Sequence, residues 1–251
     1  MDPLGFALLF VAALFAGALN AVAGGATFFT FPALMFVGLS PMAANATNFV
    51  ALVPANIAAL PAFHSELKSI GRDLIGLLVI AALGGFSGAL LLLGLGGGVF
   101  AAAVPYLMLV ATVLFAGAPH VRKILDRRGR KPANTPLAAV LLFGYAVYGG
   151  YFGAGLGQIM LAALILYGYD DFHVANALKN AVISAISLVA VVVYGLTGAV
   201  AWPEASVMMI GAAIGGYLGG KISLRIPQVA LRWAVIGFGV FLTLYYFVYG
   251  A

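Results

Sequence analysis

The chain has 251 residues, of which 64% are hydrophobic and 8% are charged. Soluble domains carry about 25% charged residues, so this composition excludes an ordinary soluble protein and predicts an integral membrane protein. The net charge is +5, but six of the twelve Lys and Arg residues lie in one stretch, VRKILDRRGRK at 121–131. A basic loop between membrane spans explains this cluster by the positive-inside rule, and we expect no nucleic-acid partner.

Apolar segments recur along the whole chain, each bounded by glycine, proline or a small charged cluster. Several reach the roughly 20 residues that span a bilayer, and the absence of period-two alternation predicts helices instead of β-strands. The expected fold is therefore an all-α integral membrane protein. Its predicted helices lie at 4–22, 27–38, 42–61, 74–94, 98–117, 135–151, 158–168, 173–195, 205–220 and 230–249.

The two halves of the chain are similar when the sequence is shifted by 131 residues. Polar residues that coincide within apolar helices indicate a duplicated unit. We predict two homologous membrane repeats of about five segments each, residues 1–118 and 135–251, joined by a basic cytoplasmic loop, residues 119–134. The coinciding pairs are Asn45 with Asn176, Asn48 with Lys179, and Gly84 with Gly215.

The basic residues between the spans predict how the repeats are oriented. If the short segments 27–38 and 158–168 cross the membrane, every basic loop between spans lies on one side, and the units form an inverted-topology pair. If these segments are re-entrant and do not cross, the units are parallel, and the loop with Lys221, Arg225 and Arg232 faces outward. We favour the inverted arrangement, with both termini outside.

Each predicted repeat has a glycine-rich break between a long and a short apolar segment, at 20–32 and at 151–158. Irregular backbone at membrane depth is tolerated where protein or a water-filled cavity satisfies it, and paired broken helices mark transporter binding sites. Close helix packing is the alternative explanation for the glycines. Because the breaks are in register, we predict that they line a cavity with Gly24, Gly25, Thr27, Gly155, Gly157 and Gln158.

The helices predicted at 42–61 and 173–195 each carry a polar stripe, within arcs of roughly 80° and 140° on a helical wheel. A lysine near the bilayer centre costs roughly 2.5 to 3.5 kcal/mol on insertion scales. No Asp or Glu lies deep in an apolar segment to neutralise Lys179, which predicts a site for a negative ligand; snorkelling to the interface is the alternative. The predicted stripe residues are Asn45, Asn48, Asn56, His173, Asn176, Lys179, Asn180, Ser184 and Ser187.

Sequence motifs for catalysis or metal binding are absent. The chain has no cysteine, no HExxH, no GxxxxGK[ST] and no serine elbow. His64 and His120 lie in loops among charged residues, whereas His173 at a helix start is a candidate proton-coupling group. We expect no enzyme, no metal site and no cofactor.

Motifs at the polar helices resemble the TauE/SafE family, also called the sulfite exporter or TSUP family. They are GLSPMAANATNFVA at 38–51, with an A-x-A-T-N core, and VANALKN followed by YGLTGAVAW at 194–202. The resemblance covers nearly the whole chain and implies secondary, ion-coupled transport of a small sulfur-containing anion, such as sulfite or sulfoacetate. It also assigns Thr47 to the substrate site. The family often has a lysine just after the first A-T-N, where this chain has Phe49.

The expected function is therefore a secondary transporter of a small sulfur-containing anion that works by alternating access, with the substrate between the two breaks. An anion channel remains an alternative. A retinal-type photoprotein is less favoured, because no carboxylate counter-ion lies near Lys179 at depth. We expect a multi-pass protein of the bacterial inner membrane whose partners are the lipid bilayer, the anion and a coupling ion, H⁺ or Na⁺. The sequence does not distinguish import from export, or a monomer from a homodimer.

Overall fold

The structure, a computed structural model, describes residues 2–22, 25–58, 60–71, 73–126, 136–166, 169, 171–222 and 228–251. These residues form helices and short turns, and none of them lies in a β-strand. The all-α membrane class predicted from the sequence is confirmed. Within the described residues, four stretches are long and apolar enough to cross a membrane, at Pro3–Asn20, Asp73–Gly117, His173–Leu196 and Arg232–Tyr249.

Each predicted helix overlaps an observed one, with two differences. Residues 60–70, assigned mostly to a loop, form a 3₁₀ turn at Leu60–Phe63 followed by a short helix. The segments at 74–94 and 98–117 belong to one element that bends at Gly96, whose φ of 78° favours glycine. The helices are α1 Pro3–Val22, α2 Thr27–Phe36, α3 Pro41–Ala58, α4 His64–Ile70, α5 Asp73–Asp126, α6 Pro136–Tyr151, α7 Leu156–Leu166, α8 Phe172–Leu196, α9 Trp202–Ile222 and α10 Gln228–Tyr249.

The predicted domain boundaries fall in a part of the chain that is only partly described. Of the expected basic loop at 119–134, residues 119–126 continue helix α5. Residues 127–134 lie outside the described residues. The division into two repeats therefore stays a prediction.

Helices α1 and α2 form one hairpin, and α6 and α7 form a second one. The rings of Phe15 in α1 and Phe29 in α2 lie 5.3 Å apart, and Leu8 lines the same apolar groove as Phe36 further along α2. In the second pair, the Tyr145 hydroxyl donates a hydrogen bond to the Leu156 carbonyl at 2.6 Å. Tyr145 and Leu156 would lie about 16 Å apart along a straight helix, so the chain reverses direction at the break.

The inverted orientation predicted above assumes that the short helices α2 and α7 cross the membrane. Both short helices turn back at the breaks towards the helices that precede them, as the contact of Phe29 with Phe15 and the hydrogen bond from Tyr145 to the Leu156 carbonyl show. Three long helical stretches follow each hairpin, with α5 supplying two of them on either side of Gly96. The inverted orientation, with both termini opposite the basic loops, stays a prediction.

Close backbone contacts connect the two halves reciprocally. A Cβ atom at Gly88 in α5 would lie 2.1 Å from the Val147 carbonyl oxygen in α6. A Cβ atom at Gly215 in α9 would lie 1.9 Å from the Leu14 carbonyl oxygen in α1. The fourth predicted segment of each half, which is α5 before Gly96 or α9, therefore packs tightly on the first helix of the other half.

Helices α3 and α8 lie at the centre of the described structure. They contact each other, and each contacts helices of the neighbouring hairpin. Helix α8 is the most buried of the long apolar stretches, whereas α5 and α10 expose apolar side chains that suit a lipid environment. Because α3 and α8 carry the polar stripes, this packing directs the stripes towards the interior, next to the two breaks.

We expect Gly215→Ala to lower the unfolding temperature of the detergent-solubilised protein, because the added methyl group forces the backbones of α1 and α9 apart. Overpacking of this kind costs about 1 to 3 kcal/mol. Gly144→Ala is the matched control, because nothing lies within 4 Å of a Cβ atom at that position in α6. Equal unfolding temperatures for the two variants would contradict the close contact.

Candidate functional site

A cavity of about 70 Å³ lies where the two breaks meet α3 and α8. The first break contributes Gly25 and Thr27, and the second contributes Gly155 and Gly157. We call this space the inner cavity. Its other polar lining residues, from α1, α3 and α8, are Asn20, Asn48, Asn56, Lys179, Asn180 and Ser187.

The N-terminal ends of the half-helices α2 and α7 line the inner cavity from opposite halves of the chain. Gly25 and Gly155 have φ values of 87° and 73°, a left-handed conformation that allows the chain to turn sharply into the next helix. The first N–H groups of a helix have no acceptor within it, and they carry a partial positive charge. Both ends therefore suit a negatively charged ligand.

The carbonyl groups around the second break are engaged by side-chain donors. The Tyr148 hydroxyl donates to the Ala154 carbonyl at 2.8 Å, and the Tyr194 hydroxyl donates to the Gly150 carbonyl at 2.5 Å. The Asn45 amide donates to the Tyr151 carbonyl at 3.0 Å. These bonds hold the irregular segment in place and occupy the carbonyls of Gly150, Tyr151 and Ala154.

The first break is supported by hydrogen bonds between α2 and α3. Asn48 is 2% exposed, and its amide Nδ2 donates to the Thr27 Oγ1 at 3.3 Å. The hydroxyl of Thr30, which is fully buried one turn further along α2, donates to Asn48 Oδ1. The side chain of Asn48 is therefore fixed at both ends.

Lys179 lies about 10 Å along α8 from the first residue of that helix. Its half-buried side chain lines the inner cavity and does not extend towards lipid. Within the described part of the chain, no carboxylate forms an ion pair with Lys179, and its ammonium group makes no hydrogen bond. The cavity therefore contains a cation whose surroundings are amides, hydroxyls and helix N-termini.

A second cavity of about 330 Å³ adjoins the first, and we call it the vestibule. The two cavities share Asn20, Asn56, Lys179 and Asn180. Phe63 and Tyr217 line the vestibule; Phe63 directly precedes α4, which carries Lys68, and Tyr217 lies one turn before Lys221. The vestibule therefore lies on the side of the basic segments.

Aromatic rings form another wall of the inner cavity. Phe49 and Phe152 line the cavity. The ring of Phe31 contacts that of Phe152, and the two ring centroids lie 5.5 Å apart. Phe49 contacts the ring of Tyr194 at 5.7 Å. We call these side chains, together with those of Phe100 and Tyr151, the aromatic layer.

The structure brings most of the predicted site residues together. Nine of them line the inner cavity: Gly25, Thr27, Asn48, Asn56, Gly155, Gly157, Lys179, Asn180 and Ser187. Asn176 lines the vestibule instead. Gly24 lies outside the described residues, as does the side chain of Gln158.

Four predicted residues do not line either cavity. Asn45 binds the Tyr151 carbonyl, and Thr47 accepts a hydrogen bond from the Ala201 N–H at 3.0 Å, which joins α3 to the start of α9. Ser184 is buried within α8, away from both cavities, and His173 is exposed at the start of this helix. Asn45 and Thr47 therefore have structural contacts where direct contact with substrate was expected.

Two residues at the site are absent from the predicted set. Asn20 lines both cavities and donates to Asn56 Oδ1 at 3.5 Å, and Thr30 binds Asn48. Asn20 precedes the first glycine pair and interrupts an apolar run, which is the signal that identifies it. Thr30 shares a helix face with Thr27, three residues earlier, a spacing that is visible in the sequence.

A multi-pass helical protein with a lysine and two broken-helix N-termini around one internal cavity has the architecture of a membrane transporter. The family described as sulfite exporter TauE/SafE matches residues 9–246. The chain belongs to this family and is a membrane transporter.

Curated relatives of the chain cover nearly its whole length. A probable membrane transporter protein of Haemophilus influenzae is 29% identical, over 92% of this chain and 89% of the relative. The probable membrane transporter protein YfcA of Escherichia coli K12 is 29% identical, over 94% of this chain and 87% of its own. The probable membrane transporter protein ORF9 of Sinorhizobium is 28% identical, over 87% and 83% of the two chains. No solved structure matches the chain significantly.

We expect Asn45→Ala to destabilise the protein by about 1 to 3 kcal/mol, because it leaves the buried Tyr151 carbonyl without its donor. Thermal unfolding in detergent, followed by tryptophan fluorescence, measures this loss. Ser206→Ala is the control, because its exposed hydroxyl donates only to the Trp202 carbonyl of its own helix. An unfolding temperature for Asn45→Ala equal to that of the control would contradict a structural role for Asn45.

Proposed function

We propose that the protein is a secondary transporter of a small sulfur-containing oxyanion, such as sulfite or an organosulfonate, which binds in the inner cavity. One observation carries the proposal: Lys179 and the N-terminal ends of α2 and α7 line the same cavity. In the described residues no carboxylate neutralises this lysine. A bound anion would supply the missing negative charge.

The groups that line the inner cavity favour an anion over a cation. Lys179 and the helix N–H groups can only donate hydrogen bonds, and three carbonyls at the second break already accept from tyrosine and asparagine donors. Charge-assisted hydrogen bonds of this kind are stronger than neutral ones. The arrangement supports binding of an oxyanion, because each of its oxygen atoms can accept a hydrogen bond from a different wall of the inner cavity.

The size of the two cavities and the family description narrow the proposed substrate. The inner cavity, at about 70 Å³, has room for a small headgroup, and the vestibule, at about 330 Å³, adds space beside it. The family is described as a sulfite exporter family. Sulfite fits the inner cavity alone, and an organosulfonate would place its organic part in the vestibule.

The shape of the site supports a carrier in preference to a channel. The vestibule reaches the inner cavity from the side of the basic segments, which the positive-inside rule places in the cytoplasm. The aromatic layer forms another wall of the inner cavity. The inner cavity is lined from both halves of the chain, which is where alternating access places a substrate.

The site gives less support to the coupling ions considered above. His173 lies at the exposed start of α8 and lines neither cavity, so its position offers no path for a transported proton. The carbonyls of Gly150, Tyr151 and Ala154 are hydrogen-bonded, which reduces the acceptors available to a sodium ion at the second break. Transport assays with imposed proton and sodium gradients determine the coupling.

We expect Lys179→Ala to abolish counterflow of sulfite and sulfoacetate in reconstituted vesicles, because the cavity loses its full positive charge. Lys179→Arg should retain part of the activity, since it keeps the charge but changes the geometry. Lys68→Ala is the control, because Lys68 is exposed on α4. Undiminished transport by Lys179→Ala would contradict the assigned site.

Absence of cysteine from the natural chain permits a test of access to the cavity. In a state open through the vestibule, we expect Ser187→Cys to react with a membrane-impermeant thiol reagent added from the side of the basic segments, and sulfite to protect it. Thr112→Cys, buried where α5 contacts α10, serves as the unreactive control. Reaction of Ser187→Cys only from the opposite side would contradict the proposed direction of opening.

A further inference from the structure

Thr30 is a buried residue that lies outside both cavities but contacts a residue of the inner one. Its hydroxyl donates to Asn48 Oδ1 and also lies 3.1 Å from the Ala26 carbonyl in its own helix. Its side chain is fully buried and lines neither the inner cavity nor the vestibule. Any effect of Thr30 on a bound substrate must therefore act through Asn48.

The bond from Thr30 determines which end of the Asn48 amide faces the substrate. An amide oxygen only accepts hydrogen bonds, and an amide nitrogen only donates them. With Oδ1 bound to Thr30, Nδ2 is turned towards Thr27 Oγ1, 3.3 Å away. Because both Asn48 and Thr27 line the inner cavity, this orientation brings the amide donor to the cavity wall.

The orientation of Asn48 in turn affects Thr27. A hydroxyl has one proton to donate and can accept as well. Since Thr27 Oγ1 accepts from Asn48, its own proton is left for a ligand in the cavity. The hydrogen bond from Thr30 therefore leaves Asn48 and Thr27 as hydrogen-bond donors on the cavity wall formed by α2 and α3.

Comparison with the second half of the chain explains why the first half needs a hydroxyl at Thr30. Under the shift of 131 residues, Asn48 corresponds to Lys179 and Thr30 corresponds to Leu161. A lysine ammonium can only donate, so its polarity needs no partner to fix it. An asparagine can present either end, and the half that uses asparagine has a threonine where the other half has leucine.

We propose that Thr30 is a positioning residue that determines specificity: it fixes the Asn48 amide so that the first half of the cavity presents donors and selects oxyanions. This inference rests on the function proposed above and deepens it. Without the hydroxyl, the amide can turn over, and its oxygen then accepts the Thr27 proton. The cavity loses both donors although neither lining residue has changed.

The test compares Thr30→Val, which keeps the shape of the side chain, with Thr30→Ser, which keeps its hydroxyl. Counterflow of sulfite in reconstituted vesicles is measured over a range of sulfite concentrations. We expect Thr30→Val to raise KM about tenfold or more with a smaller change in kcat, as lost hydrogen bonds to a charged ligand predict. Thr30→Ser should remain within a few-fold of the natural protein.

The matched control is Thr243→Val, which makes the same chemical change at a buried threonine on α10 whose hydroxyl donates to the Gly239 carbonyl. A second comparison places Thr30→Val in an Asn48→Ala background. There the hydroxyl has no amide to orient, so Thr30→Val should add no further rise in KM. A general packing defect would instead add its effect in either background.

The outcomes separate this inference from the proposed function. If the natural protein shows no sulfite or sulfoacetate counterflow, the proposed function fails. If it transports and Thr30→Val matches Thr243→Val, or if the effect persists with Asn48→Ala, the positioning role of Thr30 is overturned while the transport site stands. If Thr30→Val does not fold, Thr30→Cys replaces it, because a thiol has similar size and is a weak donor, and the same rise in KM is expected.

Discussion

The lysine at the centre of the cavity is the constraint on which the rest of the site depends. An ammonium at membrane depth is stable only where polar groups or water replace its hydration, and in the described structure Lys179 lies among amides, hydroxyls and helix N-termini. A buried carboxylate would stabilise the lysine further, but it would also remove the attraction for an anion. Under the proposed function, these neutral surroundings leave the positive charge of Lys179 for a ligand.

Tight packing of glycines makes this arrangement possible. The halves approach closely enough at Gly88 and Gly215 that backbone touches backbone, which fixes the two hairpins relative to α3 and α8. The irregular segments then meet at one cavity, and the carbonyls of the second segment are satisfied by Tyr148, Tyr194 and Asn45. Fixed donors bind charge more strongly than mobile ones, because no reorganisation is needed when the ligand arrives.

Much of the fold and site could be predicted from sequence because both depend on patterns that are local in the chain. Apolar length identified the helices, glycine clusters located the breaks, and polar spacing identified Lys179 and Asn48. The direction of each short helix could not be predicted from the sequence. It depends on contacts such as the hydrogen bond from the Tyr145 hydroxyl to the Leu156 carbonyl, and such contacts leave no pattern in the sequence. The same limit explains Asn45: its face of α3 is polar, but only the fold shows that it meets the Tyr151 carbonyl.

Phe49, at a position where the resemblance described above often has a lysine, bears on how much negative charge the proposed site can hold. Phe49 lies in the aromatic layer against Tyr194, so a second ammonium at this position would sit beside the aromatic wall of the cavity. The remaining charge is that of Lys179 together with the two helix N-termini, each equivalent to about half a positive charge. Under the proposed function, their sum of about two positive charges would balance a divalent oxyanion without a second lysine. Phe49 then contributes an aromatic wall to the cavity, and the broken helices supply the additional positive charge.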